Sequence, residues 1–349
     1  MRRPGNRRRW AFAALAALAA MAMSACAEEA PQDYLEPAGP YAREADQLWD
    51  LVFPIAVVIF FVVEALLVFA VIRYRHRPGR RAAQFHGNTR VEVLLTAVPA
   101  LILAGIAVPT VGTIFDLAHE PPGALEVKVI GHQFWFEYQY PEHDVVTANE
   151  MHIPVDTPVR VELEGDTDNG LGASEVIHAF WVPRLAGKHD VVPGRSAHIL
   201  LQADEPGEYL GQCTEYCGLS HANMRVRVIA QSQSDFEQWL EDQAQPAAEP
   251  SEDLAAEGAE LFRGGDGAIS QPCTNCHVVE PGSPATVGPN LAHFGSREWF
   301  AGAMLVNNDE NLAEWLRDPP GMKPGSLMPD LGLSEDQIRA LVAYLQSLE

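Results

Sequence analysis

The sequence predicts a membrane α-helical hairpin, followed by an all-β sandwich and then by an all-α domain. Three observations carry this. The long apolar runs lie before residue 116, period-two alternation fills Leu125 to Ala230, and a charged, Ala/Pro-rich stretch then gives way to helical spacing. At 349 residues the chain has room for roughly two or three domains.

The first element is an export signal. Arg2, Arg3, Arg7, Arg8 and Arg9 precede an alanine-rich apolar run from Trp10 to Met23, and Ser24-Ala25 then leads into Cys26. A basic head, a short apolar stretch and small residues describe a cleaved signal peptide over 1–25. A cysteine directly after them resembles the bacterial lipoprotein pattern, which implies a lipidated Cys26.

The hairpin follows over 46–116. Leu51 to Ile72 and Val91 to Phe115 are each long enough to cross a hydrocarbon core of ~30 Å as helices. Arg73, Arg75, Arg77, Arg80, Arg81 and Arg90 lie between them, and short basic loops stay in the cytoplasm. Everything after Phe115 is therefore expected outside the cell membrane, on the periplasmic side. Carboxylates are costly at membrane depth, so Glu64 and Glu92 are candidate functional groups, Glu92 at the cytoplasmic start of the second helix. From Asp116 onward, 12 basic residues stand against 38 acidic ones, a formal charge of −26. Such a field repels nucleic acid and draws in a basic protein partner.

The sandwich spans 120–240. Leu125–Ile130, Gln133–Tyr138 and Val159–Glu164 alternate as half-buried strands, punctuated by Gly and Pro. Near its end, Cys213, Cys217, His221 and Met224 fall within twelve residues. Thiolates with imidazole and a weak thioether select copper. Two cysteines four apart can bridge two copper ions, each needing its own terminal histidine. His221 supplies one and His178, in His178-Ala179-Phe180-Trp181-Val182-Pro183, the other. The same two Cys and two His would also suit one structural zinc, and the spacing leaves both readings open. His132, His143, His152, His189 and His198 have no cluster partner in sequence.

A linker is expected over 241–253 and the helical domain over 254–349. Leu254, Gly258, Leu261 and Phe262 share one helix face. Ser334-Glu335-Asp336-Gln337 is a capping box that opens a last helix. Between them, Cys273-Thr274-Asn275-Cys276-His277 has the C-x-x-C-H spacing of covalent haem attachment, with two thioethers and His277 as an iron ligand. A methionine on the other face would raise the potential, and Met304, Met322 and Met328 compete for that place.

The hairpin, the segment from His178 to Pro183 and the loop from Cys213 to Met224 together resemble subunit II of the haem–copper cytochrome c oxidases. The resemblance implies a cupredoxin fold with a dinuclear copper centre, CuA, held by His178, Cys213, Cys217, His221, Met224 and the backbone carbonyl of Glu215. It also implies a magnesium ion reached by the Glu215 side chain, a proton pathway opening at Glu92, and subunits I and III as partners. Many members have Trp after Gly-His-Gln as the electron-input residue. Here Phe134 follows Gly131-His132-Gln133, with Trp135 next as the candidate. Lys323-Pro324-Gly325-Ser326-Leu327-Met328-Pro329 and Val287-Gly288-Pro289-Asn290-Leu291 resemble segments of class I cytochromes c, which favours Met328. Together these imply an oxidase subunit carrying its own haem c. Electrons from a basic cytochrome c or an upstream respiratory complex would pass through haem c and CuA to subunit I, where oxygen is reduced and protons are translocated. The tether would hold the haem domain at a local concentration of roughly millimolar. An electron-input subunit of a nitric oxide reductase would have the same parts. A lipid-anchored copper carrier would not need the hairpin.

Overall fold

The computed structural model describes residues 30–76, 78–79, 86–167, 176–247, 249–265, 269 and 271–349, together with Phe12 and Ala16. Apart from Phe12 and Ala16, the expected signal peptide lies outside the described residues, as do Cys26 and the loop residues Arg77, Arg80 and Arg81.

The hairpin consists of α1 (Pro40–Tyr74) and α2 (Thr89–Leu117). Asn88 caps α2 by accepting from the Arg90 and Val91 amides. Both helices are long and apolar enough to cross a membrane, and α2 buries no residue within the chain. Their Leu, Val, Ile and Phe side chains must find lipid or another subunit.

Helix α1 starts eleven residues before its expected apolar run, because its first turn belongs to the sandwich. Ala38 donates to the Arg184 carbonyl (2.7 Å) and accepts from the Asp204 amide (2.9 Å), while Arg43 pairs with Asp204. A Cβ on Gly39 would lie 1.9 Å from the Gln202 carbonyl oxygen, so only glycine allows this approach. The sandwich is thus pinned directly to the outer end of a membrane helix.

The sandwich strands are β1 (Leu125–His132), β2 (Trp135–Tyr140), β3 (Val145–Ala148), β4 (Glu150–Pro154), β5 (Val159–Gly165), β6 (His178–Phe180), β7 (His189–Val191), β8 (Ser196–Leu201), β9 (Gly207–Gln212) and β10 (Arg225–Gln231). One sheet runs β3-β2-β1-β5-β8, a second β4-β10-β9, and β6 pairs with β7. Parallel pairing of β1 with β5 and of β10 with β4 sets the register, with Val127 opposite Val161 and Val228 opposite Met151. The alternation of β5 reads buried at Val159, Val161 and Leu163, as its period-two pattern requires. Phe136, Tyr138, Met151, Phe180 and Met224 fill the space between the sheets.

A helix that the strand pattern did not announce, α3 (Gln233–Gln243), closes this unit and takes up the start of the expected linker. Phe236 and Leu240, one turn apart, are buried against the sandwich, and Trp239 stacks on His152 at 4.2 Å. Two apolar positions are too few to show a helical period, so packing rather than pattern makes this helix. The linker that remains is also held, since the Gln245 carbonyl accepts from His293 Nε2 at 2.8 Å.

The C-terminal part comprises α4 (Asp253–Arg263), the two-residue strands β11 (Trp299–Phe300) and β12 (Leu305–Val306), α5 (Asp309–Arg317), α6 (Pro319–Met322) and α7 (Glu335–Gln346). The capping box at Ser334 and Gln337 forms as its spacing predicts. Helices α4 and α7 cross at Gly258, where a Cβ would meet the Ala340 carbonyl at 2.0 Å. Phe262, Leu312, Ile338 and Leu341 are nearly fully buried around that crossing, each contributing roughly 1.5–3 kcal/mol of burial.

Candidate metal centre and haem cleft

Four short elements converge on the copper loop. β6 carries His178, the turn after β9 carries Cys213, Glu215 and Cys217, a 3-10 turn carries His221, and Met224 leads into β10. The Cys213 amide donates to the Met224 carbonyl at 2.9 Å and closes the loop at its base. Cys213 Sγ lies 3.8 Å from Cys217 Sγ, 3.9 Å from His178 Nδ1 and 3.3 Å from the Glu215 carbonyl oxygen. Cys217 Sγ lies 3.7 Å from His221 Nδ1 and 3.9 Å from Met224 Sδ. The two sulfurs therefore sit in the middle, with one imidazole at each end.

This layout separates the two metal readings. The ligand atoms of His178, Cys213 and Cys217 lie within 4.8 Å of one another, a group that His221 does not join. A single tetrahedral zinc needs all four donors around one point, whereas two metals bridged by the sulfurs need this elongated arrangement. The thiol pair favours a cation of either kind. Hydrogen bonding between the pair pulls the Cys213 thiol down and pushes Cys217 up, because two adjacent thiolates repel unless a cation lies between them. Glu215 turns its carboxylate outward, half-exposed, beside Lys188 at 3.4 Å.

The second site is an apolar cleft with a cavity of about 160 Å³, partly open to solvent. Cys273, Cys276, His277 and Met328 line it, together with Leu291, Phe294, Leu312 and Leu341. His277 Nδ1 donates to the Pro289 carbonyl at 2.9 Å, which leaves the Nε2 lone pair for a metal. Burial lowers the His277 pKa and favours the neutral, ligating form. Gly288 lies against the same ring, and a Cβ there would come within 2.4 Å of it. Trp315 Nε1 donates to Met328 Sδ at 3.2 Å. Met328 is the one methionine lining the cleft among the described residues; Met304 and Met322 do not.

Arg297 tests whether haem fits. Its Nη2 donates to the Asn290 and Ala292 carbonyls, but Nε and Nη1 are buried without a partner at the edge of this cleft. Burial pulls its pKa down to about 10. A sealed guanidinium with two spare donors in an otherwise apolar space calls for an acidic ligand, and a flat apolar ring system bearing carboxylates meets both demands.

The two sites share a wall. Gln133, Phe134 and Trp135 line the haem cleft, and Gln133 Nε2 also donates to the Cys217 carbonyl at 2.6 Å. Trp135, 8% exposed, stacks on His132 at 4.2 Å, and His132 Nδ1 lies 2.9 Å from Asp166. Glu92 stands in the first turn of α2, far along the chain from both sites, and Glu64 is exposed on α1. Sequence reasoning did not find Gln133, Arg297, Trp315 or Lys323. The available signals were that Gln133 sits in the Gly-His-Gln motif, and that Lys323, one of three lysines in the chain, opens the Met328 segment.

Comparison with known proteins recovers the same three parts of the chain. The periplasmic domain of cytochrome c oxidase subunit II matches residues 125–231, its transmembrane domain matches 28–112, and cytochrome c matches 255–349. Cytochrome c oxidase subunit 2 of Alkalihalophilus pseudofirmus is 37% identical over 336 residues, 94% of each chain. The Bacillus subtilis protein of the same name is 32% identical over 364 residues, 97% of this chain and 98% of its own. Among solved structures, the periplasmic domain of subunit II of cytochrome oxidase from Bradyrhizobium japonicum is 30% identical, covering 35% of this chain and 94% of that one, with a TM-score of 0.32.

Proposed function

The chain belongs to the cytochrome c oxidase subunit II family, as a membrane-bound member with a C-terminal cytochrome c domain; on that premise we propose that it feeds electrons into a respiratory oxidase through its own haem. His178, Cys213, Cys217, His221, Met224 and the Glu215 carbonyl would hold the copper pair. Cys273 and Cys276 would bind haem c covalently, with His277 and Met328 on its two faces. When bound, these groups supply one-electron carriers, haem c on the donor side and CuA toward the haem–copper centre of subunit I, where oxygen is reduced to water with proton translocation.

One observation carries this reading: Gln133 lines the haem cleft and donates to the backbone of Cys217, so a single side chain touches both sites. Trp135 and Phe134, both buried, stand in the same wall. His178, Cys213, Cys217 and Met224 are buried, so the chain would hold a bound copper pair in fixed, largely apolar surroundings. The acidic outer surface suits a basic cytochrome c as donor. Glu215 could reach a magnesium ion at the subunit I boundary, Glu92 a proton pathway there, and Cys26 a lipid anchor.

The test is gas consumption by the native complex, purified through a tag on this chain, with reduced cytochrome c as donor. Cyanide-sensitive oxygen uptake is expected. Nitric oxide consumption with negligible oxygen uptake would overturn the oxidase reading in favour of a reductase.

A further inference from the structure

The contact between sandwich and cytochrome is not that of a loosely tethered domain. Two buried sandwich carboxylates, Glu137 and Glu150, accept the backbone amides of Ala285 and Trp299. Asn149 accepts from the Gly302 amide at 2.8 Å, and the Arg225 amide donates to the Gly302 carbonyl at 3.0 Å. The Arg227 guanidinium lies 3.3 Å over the Trp299 ring and reaches the Ala303 carbonyl. The cytochrome side of this surface is the turn between β11 and β12, where Ala301, Gly302 and Ala303 all have left-handed backbone (φ 54°, 78° and 56°). Alanine adopts that conformation only at a cost, so the turn is held by what it grips.

Lys323 stands between this turn and the two redox sites. It is 3% exposed, and its ammonium donates to the Phe134 carbonyl at 2.6 Å and to the Ala301 carbonyl at 2.7 Å, one acceptor on each domain. Beside it the Phe134 ring is wedged between two loops. A Cβ on Gly218 of the copper loop would meet the ring at 2.9 Å, and one on Gly325 of the Met328 loop at 3.3 Å. Ser220 Oγ bonds the Pro324 carbonyl across the same seam. Burial pulls the Lys323 pKa down to about 7, and the group adds little net stability, because leaving water costs as much as the bonds return. Its effect is on register, since any slide of one domain over the other would leave the buried Lys323 amine without an acceptor.

We propose that Lys323 is a register pin and the positioning residue for electron transfer from haem c to CuA, holding Phe134 between the copper loop and the Met328 loop. This rests on the electron path proposed above. The cytochrome is then a fixed part of the copper domain, and transfer needs no domain swing.

The experiment compares wild type, Lys323→Met and Lys323→Arg in the purified, fully loaded oxidase. One readout is the haem–copper distance distribution from spin-relaxation EPR, and the other is the haem-to-copper rate after flash reduction of haem c. Wild type should give one narrow distance and a rate independent of solvent viscosity. Lys323→Met should keep its haem absorbance and copper spectrum, broaden the distance distribution, and slow transfer by about tenfold, because displacements on the order of 1 Å suffice for such losses in a positioned reaction. Lys323→Arg should recover most of both. A Lys323→Met enzyme with wild-type distance and rate would overturn the pin. Should that variant fail to accumulate, the wild type decides: a broad distribution or a rate that falls with viscosity overturns the proposal. A narrow wild-type distance with no electron passing from haem c to copper would instead overturn the path, and with it the positioning role.

Discussion

The copper loop and the haem cleft build their sites in opposite ways. Around the copper loop the protein supplies nearly everything. His178, Cys213, Cys217 and Met224 are buried in a packed β core, and the sulfurs and their nitrogen and sulfur neighbours already lie 3.7–3.9 Å apart. Around His277 the protein supplies a boundary. Helices α4, α5 and α7 line an apolar cleft with a cavity of about 160 Å³, larger than the voids a packed interior leaves unfilled. Strand pairing can set donor geometry by backbone register alone, whereas short helices around a large planar group need that group as part of the core.

The largest effect should come from emptying the cleft. Cys273→Ala with Cys276→Ala should abolish covalent haem, seen by haem staining of the denatured chain, and should strip amide-exchange protection from residues 253–349 while copper still binds. A C-terminal part as protected without haem as with it would break the comparison. Cys217→Ser should act on the other side alone. The full-length wild type should hold two coppers per haem with a delocalised mixed-valence EPR spectrum, and the variant should lose that spectrum entirely. Its haem should remain and its sandwich should lose only about 1–2 kcal/mol, the scale of a buried hydrogen-bonded contact. A wild type carrying only zinc would sink the copper assignment. The smallest effect sharpens the comparison within the cleft. Met328→Ala should keep the thioether-bound haem but lose the methionine–iron absorbance band and lower the haem potential. Met322→Ala should leave both unchanged.

How far the sequence reaches can be followed residue by residue. The membrane hairpin was legible because hydrocarbon demands long apolar runs, and only the early start of α1 at Pro40, set by its contact with Arg184 and Asp204, was not. Strands β1, β2 and β5 were legible from alternation. Helix α3 was not, because Phe236 and Leu240 supply too little period. The clusters from Cys213 to Met224 and from Cys273 to His277 could be read directly, since covalent spacing alone keeps residues on one short loop together.

What the tertiary structure decided lies wherever residues far apart in the chain must meet. It set the elongated spread of donors that favours two metals over one, put Met328 but not Met304 or Met322 in the cleft wall, and left Nε and Nη1 of Arg297 without a partner among the described residues. It also brought Lys323 onto Phe134, 189 positions away, and so joined two domains that read in sequence as separated by a flexible linker. Local composition determines which groups a segment can offer. Strand register and domain docking determine which of them face each other, because those depend on the summed packing of the whole chain and not on any one stretch of it.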